Sequence, residues 1–411
     1  MAPRPDLKVI PERSPPLRVV FFVQGEGRGH MTQSLAVKRM LEEAGHTLVG
    51  VFMGENPSRP IPAFVRDALG DILVTYPAPA FVVDARGKGV RPWATVVQTF
   101  RRIPLYWRAA GMIHETMQDM SPDLIVNFYD LLGGLYKSLY RPRAPVVAIG
   151  HQFLFFHPDF PVVRDRFWEL LGVKWNTRFT ALGAACRLAL SFTPLSSLPD
   201  RSIRVVPPLL RSQVLTARPE RGEHILAYVL NPGYAQELDQ WHQDAEGVDL
   251  HCFWDRTDVP ETVTPREGLT LHRLNGDVFL ELLTTCRGYT STAGFESVCE
   301  AAFLGKPVMV VPTGNHLEQQ CNALDAQRAG IATWQNRFDL TQFVAGLDAV
   351  DPGPRGRFRG WVLEAGDRIL PLLESCAGGD GPGADPGPGT ELRKPPGKGL
   401  VFNPGRAGPG S

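Results

Sequence analysis

The residues best suited to chemistry in this 411-residue chain lie in one segment. The segment consists of a turn that begins with glycine, the helix after the turn and an apolar strand after the helix. Residues 294–307 contain the turn, a helix with Glu296 and Glu300 one helical turn apart, and a stop at Gly305. Helix N-terminal amides bind anions such as phosphate, and a carboxylate accepts hydrogen bonds from two adjacent hydroxyls. The pattern therefore predicts a site for a phosphorylated ligand rich in hydroxyls.

A polar cluster follows the next apolar strand, residues 308–311. It contains Asn315, His316, Gln319 and Gln320. Side-chain amides both donate and accept hydrogen bonds, which suits the hydroxyls of a sugar. The alternative is a polar helix N-terminus with Asn315 as its cap. Both interpretations stay open.

A second glycine turn lies near the start of the chain, directly after a strand. Residues 25–30 have the pattern Gly-x-Gly-x-Gly-His, with Gly27 and Gly29 at the start of a helix. Glycines let the backbone approach a ligand closely. A dinucleotide site would show Gly-x-Gly-x-x-Gly and an acidic residue after the second strand, where Glu55 is the only candidate. A tight turn without a ligand is the alternative.

The histidine that closes this turn gives it a chemical role. The field of a helix N-terminus disfavours the charged imidazole. A neutral imidazole accepts a proton from a hydroxyl near neutral pH. We therefore predict that His30 is a general base, and the alternative is a histidine that only caps or packs the turn.

The two segments, in this order, resemble the donor and glycine-loop motifs of GT-B glycosyltransferases. The likeness is to the branch of MurG-type N-acetylglucosaminyltransferases and UDP-glucuronosyltransferases, and its C-terminal part covers about residues 271–332. The resemblance implies two tandem Rossmann-like domains with a cleft between them. It also implies metal-independent, inverting transfer of a hexosyl group from a nucleotide-diphosphate sugar, chiefly a UDP-sugar, to an acceptor hydroxyl.

The resemblance also assigns roles to residues. His30 falls in the position of the base, Glu300 in that of the carboxylate on the ribose hydroxyls, and Glu296 is the alternative carrier. Gln319 and Gln320 match the paired glutamines that touch the sugar. The turn expected to face the diphosphate consists of Thr292, Ala293, Gly294 and Phe295, with Ser291 before it.

The chain departs from the family pattern just before that turn. It has Thr290, Ser291 and Thr292 where the family often has a basic residue or a histidine. Arg28 and Arg256 are the candidates to supply this charge to the leaving phosphate.

Three residues of the N-terminal half are candidates for an acceptor pocket. His151 and His157 follow a predicted strand, and Asp130 follows another. Ligands of parallel sheets bind at the carboxyl ends of the strands. A loop folded onto the core is the alternative.

Composition limits the class of protein. The 43 basic and 43 acidic residues give no net charge, which argues against a nucleic-acid partner. Six cysteines without a CxxC pair indicate reduced, buried thiols, so we expect neither disulfides nor a metal site. The N-terminus has no apolar stretch typical of a signal peptide. We expect a cytoplasmic enzyme without a bound cofactor, with the nucleotide sugar as co-substrate.

Alternating strands and helices predict an α/β fold with doubly wound sheets. The predicted division is a disordered lead at 1–16, an N-terminal acceptor domain at 17–210, a linker at 211–222, a C-terminal donor domain at 223–376 and a disordered Gly/Pro-rich tail at 377–411.

Other partners and functions stay open. Mixed basic and aromatic residues at 100–108 and 164–187 suit either helices packed on their own domain or contact with the inner membrane face. The sequence does not identify the acceptor, for which a lipid-linked molecule and a small molecule are the candidates. A UDP-sugar 2-epimerase of the same fold and a non-catalytic nucleotide-binding protein are the functional alternatives.

Overall fold

The computed structural model of the protein describes residues 15–56, 60–77, 92–163, 165–229, 232–256 and 258–379. Residues 1–14 of the predicted lead and 380–411 of the predicted tail lie outside the described residues.

The N-terminal half is built on a parallel sheet of seven strands in the order β3-β2-β1-β4-β5-β6-β7. Its first strand has an apolar, β-branched and aromatic run, Val19 to Val23, that is fully buried because helices cover both faces of the sheet. The strands are β1 (Arg18–Val23), β2 (Thr47–Glu55), β3 (Leu73–Pro77), β4 (Leu124–Phe128), β5 (Val146–Ile149), β6 (Cys186–Leu190) and β7 (Ile203–Val206).

The described residues of this half form six α-helices. The predicted unit of strand, glycine turn, helix and strand is β1, α1 and β2. The helices are α1 (Arg28–Glu43), α2 (Ala63–Leu69), α3 (Pro92–Met120), α4 (Leu131–Tyr140), α5 (Phe167–Phe179) and α6 (Ser212–Thr216). The short α6 lies within the predicted linker.

The C-terminal half repeats the architecture with the strand order β10-β11-β9-β8-β12-β13-β14. β10 is antiparallel to β11, and the other pairs are parallel. The strands are β8 (Ile225–Val229), β9 (Leu250–Trp254), β10 (Thr262–Arg266), β11 (Leu269–Arg273), β12 (Gly288–Ser291), β13 (Val308–Val310) and β14 (Thr333–Trp334).

Seven α-helices in the part of the chain that the structure describes accompany these strands. They are α7 (Pro232–Gln243), α8 (Gly276–Thr285), α9 (Phe295–Phe303), α10 (Leu317–Arg328), α11 (Thr341–Gly346), α12 (Gly353–Leu363) and α13 (Ala365–Gly378). The short α11 is followed directly by a 3₁₀ turn, Leu347–Ala349. α13 extends past the predicted start of the tail, and Gly379 ends it with a φ of 80°.

The last helix returns to the first sheet. α13 contacts α1, β4, β5 and β7. His46 Nε2 lies 3.0 Å from Glu374 Oε1, and the Trp361 indole nitrogen donates to the Ser191 carbonyl at 2.9 Å. The final helix of the C-terminal domain predicted at 223–376 therefore packs on the N-terminal half. Within the described residues, no helix is long and apolar enough to cross a membrane.

Candidate active site

A cavity of about 580 Å³ lies between the two halves, where the carboxyl ends of both sheets face each other. The turn after β1 and the start of α1 form one wall, and the start of α9 forms the opposite wall. The lining residues that the argument uses are Gly27, Arg28, Gly29, His30, Gln33, His151, Gln152, Arg211, Arg256, Arg273, Gly294, Phe295, Glu296, Glu300 and Glu318.

The turn after β1 requires glycine at its first position. A Cβ on Gly25 would lie 1.5 Å from the carbonyl oxygen of Gly54, so no other residue fits this close approach. Gly27 is the N-cap of α1 and leaves the first helical amides without a side-chain cap. Gly294 does the same for α9. Two helix N-termini without side-chain caps therefore border one cavity, an arrangement that favours an anionic ligand.

His30 lies on the first wall as a neutral imidazole. Its ring stacks on Tyr129 at a centroid distance of 5.6 Å, and its Nδ1 lies 3.3 Å from Gln33 Oε1. Burial lowers the pKa of His30 to about 4, against a smaller opposing effect of the bond to Gln33. Because an amide oxygen only accepts, this contact places the proton on Nδ1 and leaves the Nε2 lone pair free to accept a proton.

Gln33 connects this histidine to the opposite wall. Its Nε2 donates to Glu296 Oε2 at 3.0 Å. The other carboxyl oxygen of Glu296 is buried without a hydrogen-bond partner among the described residues. Burial, with the nearby charge of Glu300, raises the pKa of Glu296 well above its usual value. His30, Gln33 and Glu296 therefore form one polar chain across the cleft.

α1 and α9 approach each other closely at this point. A Cβ on Gly29 would lie 3.4 Å from the Cβ of Glu296. The absence of a side chain at Gly29 lets the two walls come together, so this glycine sets the width of the cleft beside His30.

Glu300 is deeply buried, with 3% of its surface exposed, and it pairs with an arginine of the linker. Arg211 Nε lies 2.5 Å from Oε1 of Glu300, and Nη2 lies 2.9 Å from Oε2. Each carboxylate oxygen retains a second lone pair for a ligand hydroxyl. The pair therefore offers a hydroxyl acceptor and a positive charge at one place in the cavity.

Further positive charge lines the same space. Arg28 and Arg256, the two candidates from the sequence, both border the cavity, and Arg256 is ion-paired with Asp258. Arg211 and Arg273 also border it and are not identified by the sequence pattern. The cavity thus combines helix N-termini with guanidinium groups, which is the chemistry of a diphosphate site.

The predicted sugar-binding cluster before and in α10 lies outside the cavity lining. Asn315 Oδ1 and Gln320 Oε1 accept from Arg166 at 3.4 and 3.1 Å. Gln319 Oε1 accepts from the Thr313 amide, and His316, not Asn315, is the N-cap of α10. The structure does not bring these side chains together with His30, because caps and contacts between the halves occupy them.

Glu318, which lies beside this cluster in the first turn of α10, does border the cavity. Gln152 Nε2 donates to its Oε1 at 3.0 Å, and burial raises the pKa of Glu318. The sequence carries a signal for it, since Glu318 lies between His316 and Gln319, two of the residues expected to contact the sugar.

One of the three acceptor candidates borders the cavity. His151 begins a 3₁₀ turn after β5 and stacks on Phe295 at 4.0 Å, and burial lowers its pKa to about 4. Asp130 lies outside the lining, since it caps α4 by accepting from the Gly133 amide. His157 also lies outside, with Nε2 2.8 Å from the Ser196 carbonyl oxygen.

Two other residues that the sequence singled out, Thr292 and Glu55, lie outside the cavity lining. Thr292 is buried just before α9 and outside the lining, while Gly294 and Phe295 border the cavity. Glu55 is ion-paired with Arg66 and lies outside the lining, which removes the acidic partner that a dinucleotide site in the N-terminal half would use.

Comparison with known proteins identifies the family and the fold of the chain. The sequence model of glycosyl transferase family 1 matches residues 17–348, and no curated protein matches the chain significantly.

Three solved structures illustrate the shared fold. The calicheamicin glycosyltransferase CalG4 is 18% identical, with a TM-score of 0.57 over 88% of this chain and 98% of its own. MurG of Acinetobacter baumannii is 16% identical, with a TM-score of 0.52 over 88% and 100%. UGT89C1 of Arabidopsis thaliana, complexed with UDP, is 16% identical, with a TM-score of 0.54 over 86% and 95%.

The fold is the GT-B fold, as the resemblance in the sequence implies, and the site has a neutral imidazole opposite a helix N-terminus without a side-chain cap. With a family match over most of its length, the chain belongs to glycosyl transferase family 1 and is a glycosyltransferase.

Proposed function

We propose that the protein transfers a hexosyl group from a nucleotide-diphosphate sugar to an acceptor hydroxyl, with inversion and without a metal ion. The observation that carries the proposal is the opposition of His30 and the α9 N-terminus across one cavity. A base and a leaving-group site on opposite walls suit a single displacement at the carbon between them.

The donor would bind on the α9 wall. The amides after Gly294 would hold the diphosphate, with Arg211 beside them. Glu300 would accept hydrogen bonds from the ribose hydroxyls while it keeps its contact with Arg211. The UDP in the UGT89C1 structure supports a uridine nucleotide, since that protein has the same fold.

Glu318 and Gln152 are our candidates to contact the sugar. They lie on the cavity side of the contact between α10 and the turn after β5. A carboxyl and an amide together both donate and accept, which suits sugar hydroxyls. Gln319 would serve a supporting role by fixing the loop at Thr313.

The transfer step would begin at Nε2 of His30. This nitrogen would take the proton of the acceptor hydroxyl while the hydroxyl oxygen bonds to the anomeric carbon. The bond from that carbon to the phosphate oxygen would break on the opposite face, so that the configuration inverts. The nucleoside diphosphate would leave with the bonding electrons, and the helix amides would stabilise its charge.

Metal independence is inferred from the charges that are present. Four arginines, Arg28, Arg211, Arg256 and Arg273, border the cavity together with the two helix N-termini. These groups supply the positive potential for a departing diphosphate. The proposal requires no bound cofactor, because the donor sugar is itself the co-substrate.

The proposal can be tested by thermal shift with UDP, dTDP, GDP and their sugars, each with and without EDTA. We expect saturable stabilisation by uridine nucleotides that EDTA leaves unchanged. Product analysis with a panel of acceptors would then show a glycoside of inverted configuration. Stabilisation only by NAD or NADP, or a 2-epimerised sugar formed without any acceptor, would contradict the proposal.

Glu300→Gln tests the nucleotide site directly. The amide keeps an oxygen for Arg211 but loses the charge that strengthens its bonds to hydroxyls, so we expect UDP affinity to fall by roughly 10- to 100-fold in calorimetry. Glu281→Gln, an exposed glutamate on α8, is the matched control and should bind normally. Equal UDP affinity in both variants would favour a nucleotide site elsewhere in the protein.

A further inference from the structure

Two carboxyl groups lie on consecutive turns of α9, but only one of them is paired with an arginine. Glu296 and Glu300 are four residues apart on one side of the helix, and both border the cavity. Arg211 uses its Nε and Nη2 on the two oxygens of Glu300, at 2.5 and 2.9 Å. Glu300 is thus a paired carboxylate, whereas Glu296 has no ion pair among the described residues.

The surroundings of Glu296 do not support a negative charge. Its Oε2 accepts one hydrogen bond, from the neutral amide of Gln33 at 3.0 Å. Its Oε1 is buried and has no hydrogen-bond partner in the part of the chain that the structure describes. Burial beside a second carboxylate favours the protonated form of a carboxyl group. The pKa of Glu296 is accordingly raised well above its usual value, first by burial and then by the charge of Glu300.

The groups on neighbouring elements do not supply the missing positive charge. Arg211, at the start of α6, acts on Glu296 only through space, and more weakly than burial, Glu300 or Gln33. The imidazole of His30 on α1 and the thiol of Cys299 on α9 are uncharged, because burial lowers the pKa of the first to about 4 and raises that of the second.

Further ionisable groups on the elements around α9 leave Glu296 without a partner. They are Arg28 on α1, Tyr289 on β12, Glu318 on α10 and Arg359 on α12. Burial raises the pKa of Tyr289 and of Glu318, so both favour the neutral form. Arg359 donates to the carbonyl of Phe303 at the other end of α9.

A proton on Glu296 affects the attraction of this helix end for an anion. Glu296 lies in the first turn of α9, beside the amides that Gly294 leaves without a side-chain cap. While Glu296 is protonated, the charges of Glu300 and Arg211 offset each other, and the helix terminus keeps its positive potential. An ionised Glu296 would place a negative charge in the turn itself and repel an anion there.

We propose that Glu296 carries a proton while the donor diphosphate occupies the N-terminus of α9, so that donor binding is coupled to the protonation of this carboxyl group. The inference rests on the proposed function, which places the diphosphate at this helix terminus. Gln33 can donate to Oε2 in either protonation state, so the contact between α1 and α9 does not require the proton.

The direction of the coupling follows from the charges. A bound diphosphate brings negative charge towards Glu296 and therefore raises its pKa above the value in the free enzyme. At pH values below the pKa of the free enzyme, Glu296 is already protonated and the donor binds most tightly. Between the two pKa values, binding takes up a proton, and the dissociation constant should rise by up to about tenfold for each pH unit.

Glu296→Gln separates the proton from the shape of the side chain. The amide is neutral at every pH and retains an oxygen for the Gln33 amide. We expect this variant to bind the donor within a few-fold of the affinity that the unaltered chain shows at low pH. We also expect it to keep that affinity at high pH, where the unaltered chain loses it.

The experiment is calorimetric titration of the full chain with UDP-glucose from about pH 5 to about pH 9, in buffers of different ionisation enthalpy. UDP itself is unsuitable, because its terminal phosphate titrates near pH 6. The dependence of the heat on the buffer gives the number of protons taken up. As the pH rises, uptake by the unaltered chain should approach one proton per site, and Glu296→Gln should take up none.

Asp325→Asn is the matched control. Asp325 on α10 is also a buried carboxyl group, its Oδ2 has no hydrogen-bond partner among the described residues, and burial raises its pKa to about 7. It lies outside the cavity lining, so its variant should take up protons as the unaltered chain does.

The outcomes separate this inference from the proposed function. If the unaltered chain binds UDP-glucose without proton uptake and with the same affinity at every pH, the coupling is wrong and the donor site stands. The same holds if Glu296→Gln keeps the uptake, or if Asp325→Asn abolishes it. Absence of UDP-glucose binding at every pH would contradict the proposed function and this inference together.

Discussion

Which nitrogen of His30 holds a proton determines what this residue can do in the cleft. The bond to Gln33 fixes the proton on Nδ1, and Gln33 is itself held by Glu296 from the opposite half. We therefore regard Gln33 as a positioning residue. Its orientation depends on the two halves of the chain being in contact, which links the state of the base to the closure of the cleft.

The pH dependence of the reaction tests this role. Burial depresses the pKa of His30 to about 4, so the imidazole stays neutral down to that pH. We expect kcat/KM to fall only as the pH drops through about 4, rather than near the ordinary value of 6.5. In Gln33→Glu, the fall in kcat/KM should occur at a higher pH, because a carboxylate beside Nδ1 favours the imidazolium and so raises the pKa of His30.

Gln33→Leu should lower kcat by roughly 10- to 100-fold with little change in the KM of the donor, since the ring loses its orientation while the donor wall is intact. Gln243→Leu, at the exposed end of α7, is the control. If kcat/KM depended on pH in the same way in Gln33→Glu and in the unaltered enzyme, Gln33 would have no role in the mechanism.

Sequence reasoning identifies some of these residues and not others for a physical reason. His30 and Glu300 stand out because each lies in a helix that begins at a glycine turn. Gln33 and Arg211 do not, because their contacts join residues 263 and 89 positions apart. A local pattern shows which side chains a helix presents, but not which distant side chain meets them.

At the scale of elements, the width of the cleft beside His30 depends on how closely α1 and α9 approach each other. Only the hydrogen of Gly29 separates the start of α1 from Glu296, and the resulting short distance lets Gln33 reach across. A larger side chain at Gly29 would move the base away from the donor wall without changing either helix.

A size series at this glycine tests the idea. Gly29→Ala should be tolerated, because its Cβ would lie in ordinary contact 3.4 Å from Glu296 Cβ. Gly29→Leu should lower kcat by about 100-fold or more, the usual cost of displacing a reacting group by about 1 Å. Steady-state kinetics of the two variants provides the comparison.

Gly360→Leu is the control for helix substitution, since a Cβ there meets nothing within 4 Å. Equal activity of Gly29→Ala and Gly29→Leu would show that the width of the cleft at this point is unimportant.

The predictability of the elements follows their hydrophobic patterns. β1, α1 and β2 were predictable because the buried run, the glycine turn and the helical spacing are adjacent. The full length of the 29-residue α3 and the strand β10 were not. α3 has a proline within it, and β10 is an edge strand of largely exposed residues that carries little apolar signal.

At the scale of the whole molecule, α13 makes the two halves dependent on each other. It belongs in sequence to the second half but is packed on the first sheet. Its apolar pattern predicts that one face is buried, but does not show which sheet buries it. The presence of two sheets could be predicted, because the pattern of buried strands occurs in both halves of the sequence. The packing of α13 on the first sheet could not be predicted.

Truncation of a buried side chain of α13 should therefore destabilise both halves together. Leu373, which is 1% exposed, is the chosen position, and Leu373→Ala should cost about 2–5 kcal/mol. Urea unfolding followed by tryptophan fluorescence and circular dichroism should show one transition moved to lower urea.

Leu363→Ala, an exposed change on the preceding helix, should leave the urea midpoint almost unchanged. Two separate transitions, of which only one moves in Leu373→Ala, would show that the halves unfold independently.

The crossing of α13 also bears on how the protein is made. On the ribosome, the first seven strands emerge before the helix that covers part of their sheet has been synthesised, since β7 ends at Val206 and α13 begins at Ala365. Until then, the contact surface on β4, β5 and β7 faces the nascent chain and its surroundings. The first half of this enzyme therefore completes its core only after translation of the second half, and a chaperone that shields apolar strands would act in that interval.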